Sequence, residues 1–187
     1  MRKGQVWSYD LVIASIIFVL AMAVLAFFWW SVRTNMSEDK EAIIRESFKV
    51  SDMLMSPGIP QNWSMLVNLS NQSTWSNVQG IGLAESWTNS SLSVDKVYKL
   101  INMSSVNSSL VQNKLRSRYN FYLQFVFLNT SNNSVEQPVL MNQTAIVAGN
   151  LYNLTTVQAI ARDDRIAVYN NSIVIMRLYL WSNSSLD

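Results

Sequence analysis

Residues 11–30 read Leu11-Val-Ile-Ala-Ser-Ile-Ile-Phe-Val-Leu20-Ala-Met-Ala-Val-Leu-Ala-Phe-Phe-Trp-Trp30, and no charge interrupts the chain from Leu11 to Val32. About twenty helical residues rise roughly 30 Å, the thickness of a hydrocarbon core, so the stretch predicts a transmembrane helix. Trp7 and Tyr9 stand at one end, Trp29 and Trp30 at the other. Such aromatics favour the two membrane interfaces. Arg2 and Lys3 precede the span, which places the N-terminus in the cytoplasm and the remaining chain outside. A cleaved secretory signal would have a shorter apolar region ending in small residues. Here the segment ends in Phe27-Phe28-Trp29-Trp30, so the helix is expected to stay in the mature protein.

Composition removes several chemistries. The 187 residues include no cysteine and no histidine. Disulfides, Cys/His zinc sites, and Ser-His-Asp or Cys-His catalysis are therefore excluded. A net charge of +2 is too small for binding that rests on phosphate neutralisation, so no direct nucleic-acid partner is expected. No Gly-rich phosphate loop occurs among the five glycines, and the nine Met and seven Trp are scattered. No catalytic residue, metal or cofactor is assigned, and a membrane-tethered enzyme is the least favoured reading.

Beyond the span, Ser37 with Glu38 and Asp39 resembles a helix start. Ile43, Ile44, Phe48 and Leu54 can share one face over 37–55, with Glu41 and Arg45 as an i,i+4 pair. The membrane helix either runs on or restarts at Ser37. Ser56-Pro57-Gly58-Ile59-Pro60 ends it, leaving a long N-terminal helix of about fifty residues. Residues 61–92 read as mostly irregular. Ser93 can cap a short helix with Val94, Val97, Tyr98 and Ile101 on one face, and a second covers 109–116 with Leu110, Val111 and Leu115 inward.

From Tyr119 the period becomes two. Phe121, Leu123, Phe125 and Phe127 alternate with Tyr122, Gln124, Val126 and Leu128, a central strand. Further strands are expected near 143–148, 154–161, 165–170 and 173–181. Asp163-Asp164 and Asn170-Asn171 fall where hairpin turns are needed. Closely spaced sequential strands favour an antiparallel meander. The fold class is thus α+β: a transmembrane half-helix over 5–32, its amphipathic continuation over 33–56, and a mainly antiparallel β head over 57–187. Arg162-Asp-Asp-Arg165 holds the one acidic pair that could hint at a metal or hydrolase site. A solvated hairpin turn with local ion pairs explains it better.

The chain beyond the span is rich in Asn-x-Ser/Thr. Thirteen such motifs start at Asn35, Asn62, Asn68, Asn71, Asn89, Asn102, Asn107, Asn129, Asn132, Asn142, Asn153, Asn170 and Asn183. Chance placement of 19 Asn and 33 Ser plus Thr would yield about three. In a translocated chain these are acceptor sites for glycans. Residues 34–187 carry 11 basic and 11 acidic side chains, so glycans would supply solvation that charge does not. Asn35 lies too near the membrane plane to be a favoured acceptor. The other twelve are the glycosylation candidates.

Asp10 sits at the edge of the apolar span, where a carboxylate is costly unless paired or wetted. It suits a helix N-cap at the interface. It equally suits a partner for a cation, such as an α-amino group made by cleavage just upstream.

The start Met1-Arg-Lys-Gly4-Gln5, followed at once by the apolar span, resembles the class III signal peptides of archaeal type IV pilin-like proteins. The stretches Pro57-Gly-Ile-Pro-Gln-Asn-Trp63, Gly82-Leu-Ala84 ahead of the Lys96 helix, and the strand ending at Trp181 are similar to that family too. The resemblance implies a leader over 1–4, cut by a prepilin peptidase between Gly4 and Gln5. It also implies a pilin-like fold and an apolar helix kept as a filament core. Partners would be identical subunits through that helix, the membrane, the peptidase and an assembly platform. The family often has Glu fifth after the cut. Here that residue is Tyr9 and the acid is Asp10, rotated by about 100°. Two functions are expected on this basis. One is a structural subunit of an extracellular filament. The other is an anchored pilin-like surface protein that does not polymerise: a minor pilin, an adhesin or a surface-layer partner.

Overall fold

The computed structural model describes residues 4–127, 137–141 and 143–183. It is an α+β protein: an N-terminal apolar helix followed by a mostly antiparallel sheet. Helix α1 spans Gly4–Leu54. No Gly or Pro occurs between Gly4 and Pro57, so nothing in that interval removes an amide donor or admits a left-handed residue. Ser37 therefore starts nothing; the helix runs through it. Termination follows the Ser56–Pro60 punctuation, with Met55 already in a turn.

The chain divides into two compact units, one ending at Glu41 and the other starting at Ala42. In the first, Tyr9–Ser31 is a 23-residue apolar stretch with none of its residues buried. It is the one helix among the described residues long and apolar enough to cross a membrane. Its Ser15 hydroxyl donates to the Leu11 carbonyl at 2.8 Å, which satisfies a polar group without water.

The second unit is the head. Its helical start buries Ile43, Ser47, Val50, Ser51 and Leu54. The expected face is corrected here: Ile44 and Phe48 are 45% and 48% exposed. Serines at 47 and 51 are buried with the apolar residues, so the buried stripe does not follow hydrophobicity alone.

After α2 (Trp63–Leu66) and a 3-10 turn (Gln72–Asn77) come strands β1 (Ala84–Ser86) and β2 (Asn89–Leu92). Residues 61–92 are thus more ordered than their polar composition predicts. Two buried tryptophans organise them: the Trp63 indole donates to the Gly82 carbonyl at 2.8 Å and the Trp75 indole to the Asn68 carbonyl at 2.9 Å. Helices α3 (Val94–Val106) and α4 (Ser108–Lys114) follow. In α3 the inward face is Lys96, Val97, Leu100, Met103 and Ser104, whereas Val94 and Tyr98, expected inward, are exposed. Ser93 is the N-cap residue, but its side chain makes no capping bond. In α4, Val111 and the following Leu115 are buried as expected, with Leu110 packed against them.

The remaining strands are β3 (Asn120–Phe127), β4 (Leu140–Met141), β5 (Thr144–Ala145), β6 (Val147–Gly149), β7 (Val157–Tyr169) and β8 (Ser172–Asn183). The main sheet has the order β1-β2-β7-β8-β3-β6, and β4 pairs with β5 apart from it. The meander is corrected. β2 pairs parallel to β7, and α3 with α4 carry the chain across to β3 on the far side of the β7–β8 hairpin. The core needs helices over one sheet face, and that crossover supplies them.

β3 meets β8 with Phe121 opposite Leu180, Leu123 opposite Leu178 and Phe125 opposite Met176, all buried. Each such side chain contributes about 1.5–3 kcal/mol. Asn170-Asn171 makes the two-residue turn, both at positive φ (47° and 60°), which suits a tight right-twisted hairpin. Asp163-Asp164 makes no turn. Both stand inside one continuous β7, opposite Leu178 and Arg177, so the strands expected near 154–161 and 165–170 are one.

Gly82 leaves no room for a side chain. A Cβ there would collide with the Ser56 carbonyl oxygen and the Gly58 amide. Gly58 itself has φ +84°. Gly82→Ala is expected to destabilise the head by more than about 3 kcal/mol, since backbone must move on both sides. Urea unfolding of the full chain in detergent, followed by Trp fluorescence, checks this. A loss under 1 kcal/mol, on the order of an ordinary surface change, would contradict it.

Candidate functional site

Three groups of residues carry the candidate chemistry: the start of α1, the sequons, and two charged clusters inside the head.

At the start of α1, Gly4 and Gln5 are the first helical residues. Met1–Lys3, and with them Arg2 and Lys3, lie outside the described residues. Asp10 is exposed and stands inside the helix. The N-cap reading is therefore corrected. Residues 5–9 contain no breaker, so the helix starts upstream and Asp10 falls in its second turn.

The structure places Asn62, Asn68, Asn71, Asn153 and Asn170 on the surface and leaves Asn102, Asn107 and Asn183 half-buried. Asn129, Asn132 and Asn142 lie outside the described residues, as do the side chains of Asn35 and Asn89. Asn68 and Asn71 are brought together by a backbone bridge around the loop that the Trp75 indole anchors. The others are dispersed.

The first charged cluster was not foreseen. Lys96 is 5% exposed, and its ammonium donates to the carbonyls of Pro57 and Ala84, both at 2.8 Å. Nearby, Leu83 N–H donates to the Leu54 carbonyl at 2.7 Å and Ala84 N–H to Ser56 at 3.1 Å. Burial lowers the lysine's pKa, while the charges of Glu85 and Asp95 pull it back up. The amine is committed to two carbonyls, so it acts as a structural donor rather than a nucleophile. An open groove of about 480 Å³ beside it is lined by Gln61, Asn62, Met65, Glu85 and Asp95 among others. A charge on the otherwise apolar face of α3 was the available sequence signal.

The second cluster occupies the supposed turn. In a strand, residues two apart share a face, so Arg162-Asp-Asp-Arg165 pairs opposite charges on both faces. On one face the Asp164 carboxylate accepts from Arg162 and, at 3.0 Å, from Arg177, which is 3% exposed. On the other face Arg165 meets Asp163 at 2.9 Å and reaches Asp52 of α1 at 2.9 Å, with its guanidinium 5.9 Å from the Phe48 ring centre. Tyr122 and Tyr152 flank Tyr179, with ring centres at 6.2 and 5.2 Å from it. Burial alone would raise the Asp164 pKa, but the hydrogen bonds and charges of Arg162 and Arg177 outweigh it and hold the carboxyl below its ordinary 3.8. Among the described residues, no group of three or more acids gathers where a metal ion could sit.

The chain matches no family model, no curated protein and no solved structure.

Two outcomes follow from these clusters. Lys96→Met removes the buried donor to two carbonyls and is expected to cost about 2–4 kcal/mol, measured by the denaturant midpoint. Asp164 has a depressed folded pKa, so its stabilising share is full above 3.8 and is lost as pH falls through and below that value. Unfolding midpoints between pH 6 and pH 2.5 are expected to fall less steeply in Asp164→Asn than in the parent chain. Parallel slopes would remove Asp164 from the acid response.

Proposed function

We propose that this chain is a structural subunit of an extracellular, type IV pilus-like filament, held first in the membrane and then in the filament through its apolar helix. The observation that carries this reading is Tyr9–Ser31, 23 residues of apolar helix of which none is buried in its own fold. Water is not a tolerable environment for that surface. Lipid is one solution and a bundle of identical helices is another. Transfer between them is nearly neutral, because both surroundings are apolar.

The leader joins the two stages. In the membrane, Arg2 and Lys3 reach headgroups and keep the N-terminus inside. In a helix bundle they would be buried unpaired at several kcal/mol each, so assembly requires a cut between Gly4 and Gln5. Head-to-tail contacts between identical subunits that do not close then generate a helical filament. The reading assigns no reaction to the head, whose sequons are proposed to carry N-linked glycans. Support also comes from the stretches of pilin-like resemblance. Within them Trp63 bonds Gly82, and Lys96 bonds Pro57 and Ala84.

Peptide mass spectrometry on material sheared from native cells tests this. An abundant terminal peptide starting at Gln5 is expected. A chain that starts at Met1 and is found only in membranes would refute assembly and leave an anchored surface protein.

A further inference from the structure

The sequons differ in one respect that sequence does not show: where the third residue's hydroxyl lies relative to the asparagine. In Asn71-Gln-Ser73, both the N–H and the O–H of Ser73 donate to Asn71 Oδ1, at 3.1 and 2.7 Å. In Asn153-Leu-Thr155, both the N–H and the O–H of Thr155 donate to Asn153 Oδ1, at 3.0 and 2.8 Å. Both asparagines are exposed. With Oδ1 turned back onto the loop, Nδ2 is the amide atom left facing outward. Hydroxyl and amide of the acceptor motif therefore sit side by side.

Asn102-Met-Ser104 is the opposite case. It lies in α3, where residues two apart are rotated by about 200°. Asn102 Nδ2 donates to the Tyr98 carbonyl at 2.8 Å, along the helix surface. Ser104 is 7% exposed, and its Oγ accepts the Gly149 N–H at 2.6 Å on the other side. The two acceptor groups cannot meet unless α3 unwinds and its packing against β6 is lost.

We propose that glycan transfer onto the folded head goes to Asn71 and Asn153 and bypasses Asn102. The proposal rests on the N-glycosylation read above and adds a selection imposed by the fold. In the step itself, Nδ2 attacks C1 of a sugar carried as a polyisoprenyl phosphate ester. The N–C1 bond forms and the C1–O bond to phosphate breaks. The lipid phosphate leaves with that electron pair, and one Nδ2 proton passes to a base of the membrane transferase. The sequon's contribution is an outward, unshared Nδ2 next to its own hydroxyl.

The test uses the full chain expressed in its producing cells. Intact mass and glycopeptide mapping are expected to show that Asn71→Gln and Asn153→Gln each remove one glycan mass, while Asn102→Gln changes nothing. Free peptides spanning the Asn102 and Asn153 motifs, incubated with membranes of the same cells, are both expected to be modified, because the restriction lies in the fold. Occupancy of Asn102 in the full chain equal to that of Asn153 would overturn the selection while leaving glycosylation standing. Refusal of the Asn102 peptide would also overturn it, by moving the cause from fold to sequence. No glycan at any sequon would remove the underlying reading and the selection with it.

Discussion

The head depends on where one ammonium is held. Lys96 Nζ, buried on the inner face of α3, donates to the Pro57 carbonyl in the turn after α1 and to the Ala84 carbonyl of the first strand. A lone buried charge is expensive, and it persists only where good acceptors satisfy it. Here the acceptors are two backbone carbonyls, each at 2.8 Å. The backbone at Gly82 must then pass against Ser56, which admits no side chain. The tryptophan at 63 closes the same region by bonding the Gly82 carbonyl. The chain just after α1, the first strand and α3 are thereby fixed to one another at the β1 edge of the main sheet.

A second constraint is solvent. The apolar half of α1 finds no cover in its own chain, whereas the residues from Ala42 to Leu54 are integral to the head's core. On the proposed reading one continuous helical element meets two different solvents, and its composition changes along its length, from a mainly apolar, charge-free stretch to a stripe that includes Ser47 and Ser51. In the proposed filament the first half exchanges lipid for copies of itself while the second keeps its intramolecular role. The charge-neutral head fits the same picture if sugars rather than ionised side chains hold water at its surface.

Much of this was legible in residue order, and the misses are specific. The span, the helix stop before Pro57, the alternation over Phe121–Phe125 and the Asn170-Asn171 turn all rest on local rules. Arg162-Asp-Asp-Arg165 misled because charge density is usually a turn signal. The correct sign lay in its spacing: opposite charges two apart, on each face, neutralise one another within a strand. Arg177 could not be tied to Asp164 from sequence, because thirteen residues and a hairpin separate them. The face of α3 was misjudged for a related reason. Lys96 counts as polar in any periodicity, yet its carbonyl partners come from segments 39 and 12 residues away.

By itself the sequence determined the properties set by near neighbours and by bulk solvent: the membrane-length helix, its end, the period-two strand, the tight turn and the excess of sequons. These follow from steric limits on the backbone and from the free energy of exposing apolar surface, both of which act locally. Tertiary structure alone decided the parallel seating of β2 beside β7 and the insertion of the β7–β8 hairpin between β2 and β3. It also decided the partners of Lys96 and Arg177, and which sequons keep hydroxyl and amide together. Each of those depends on groups distant in the chain meeting at hydrogen-bonding range, a condition no local pattern encodes.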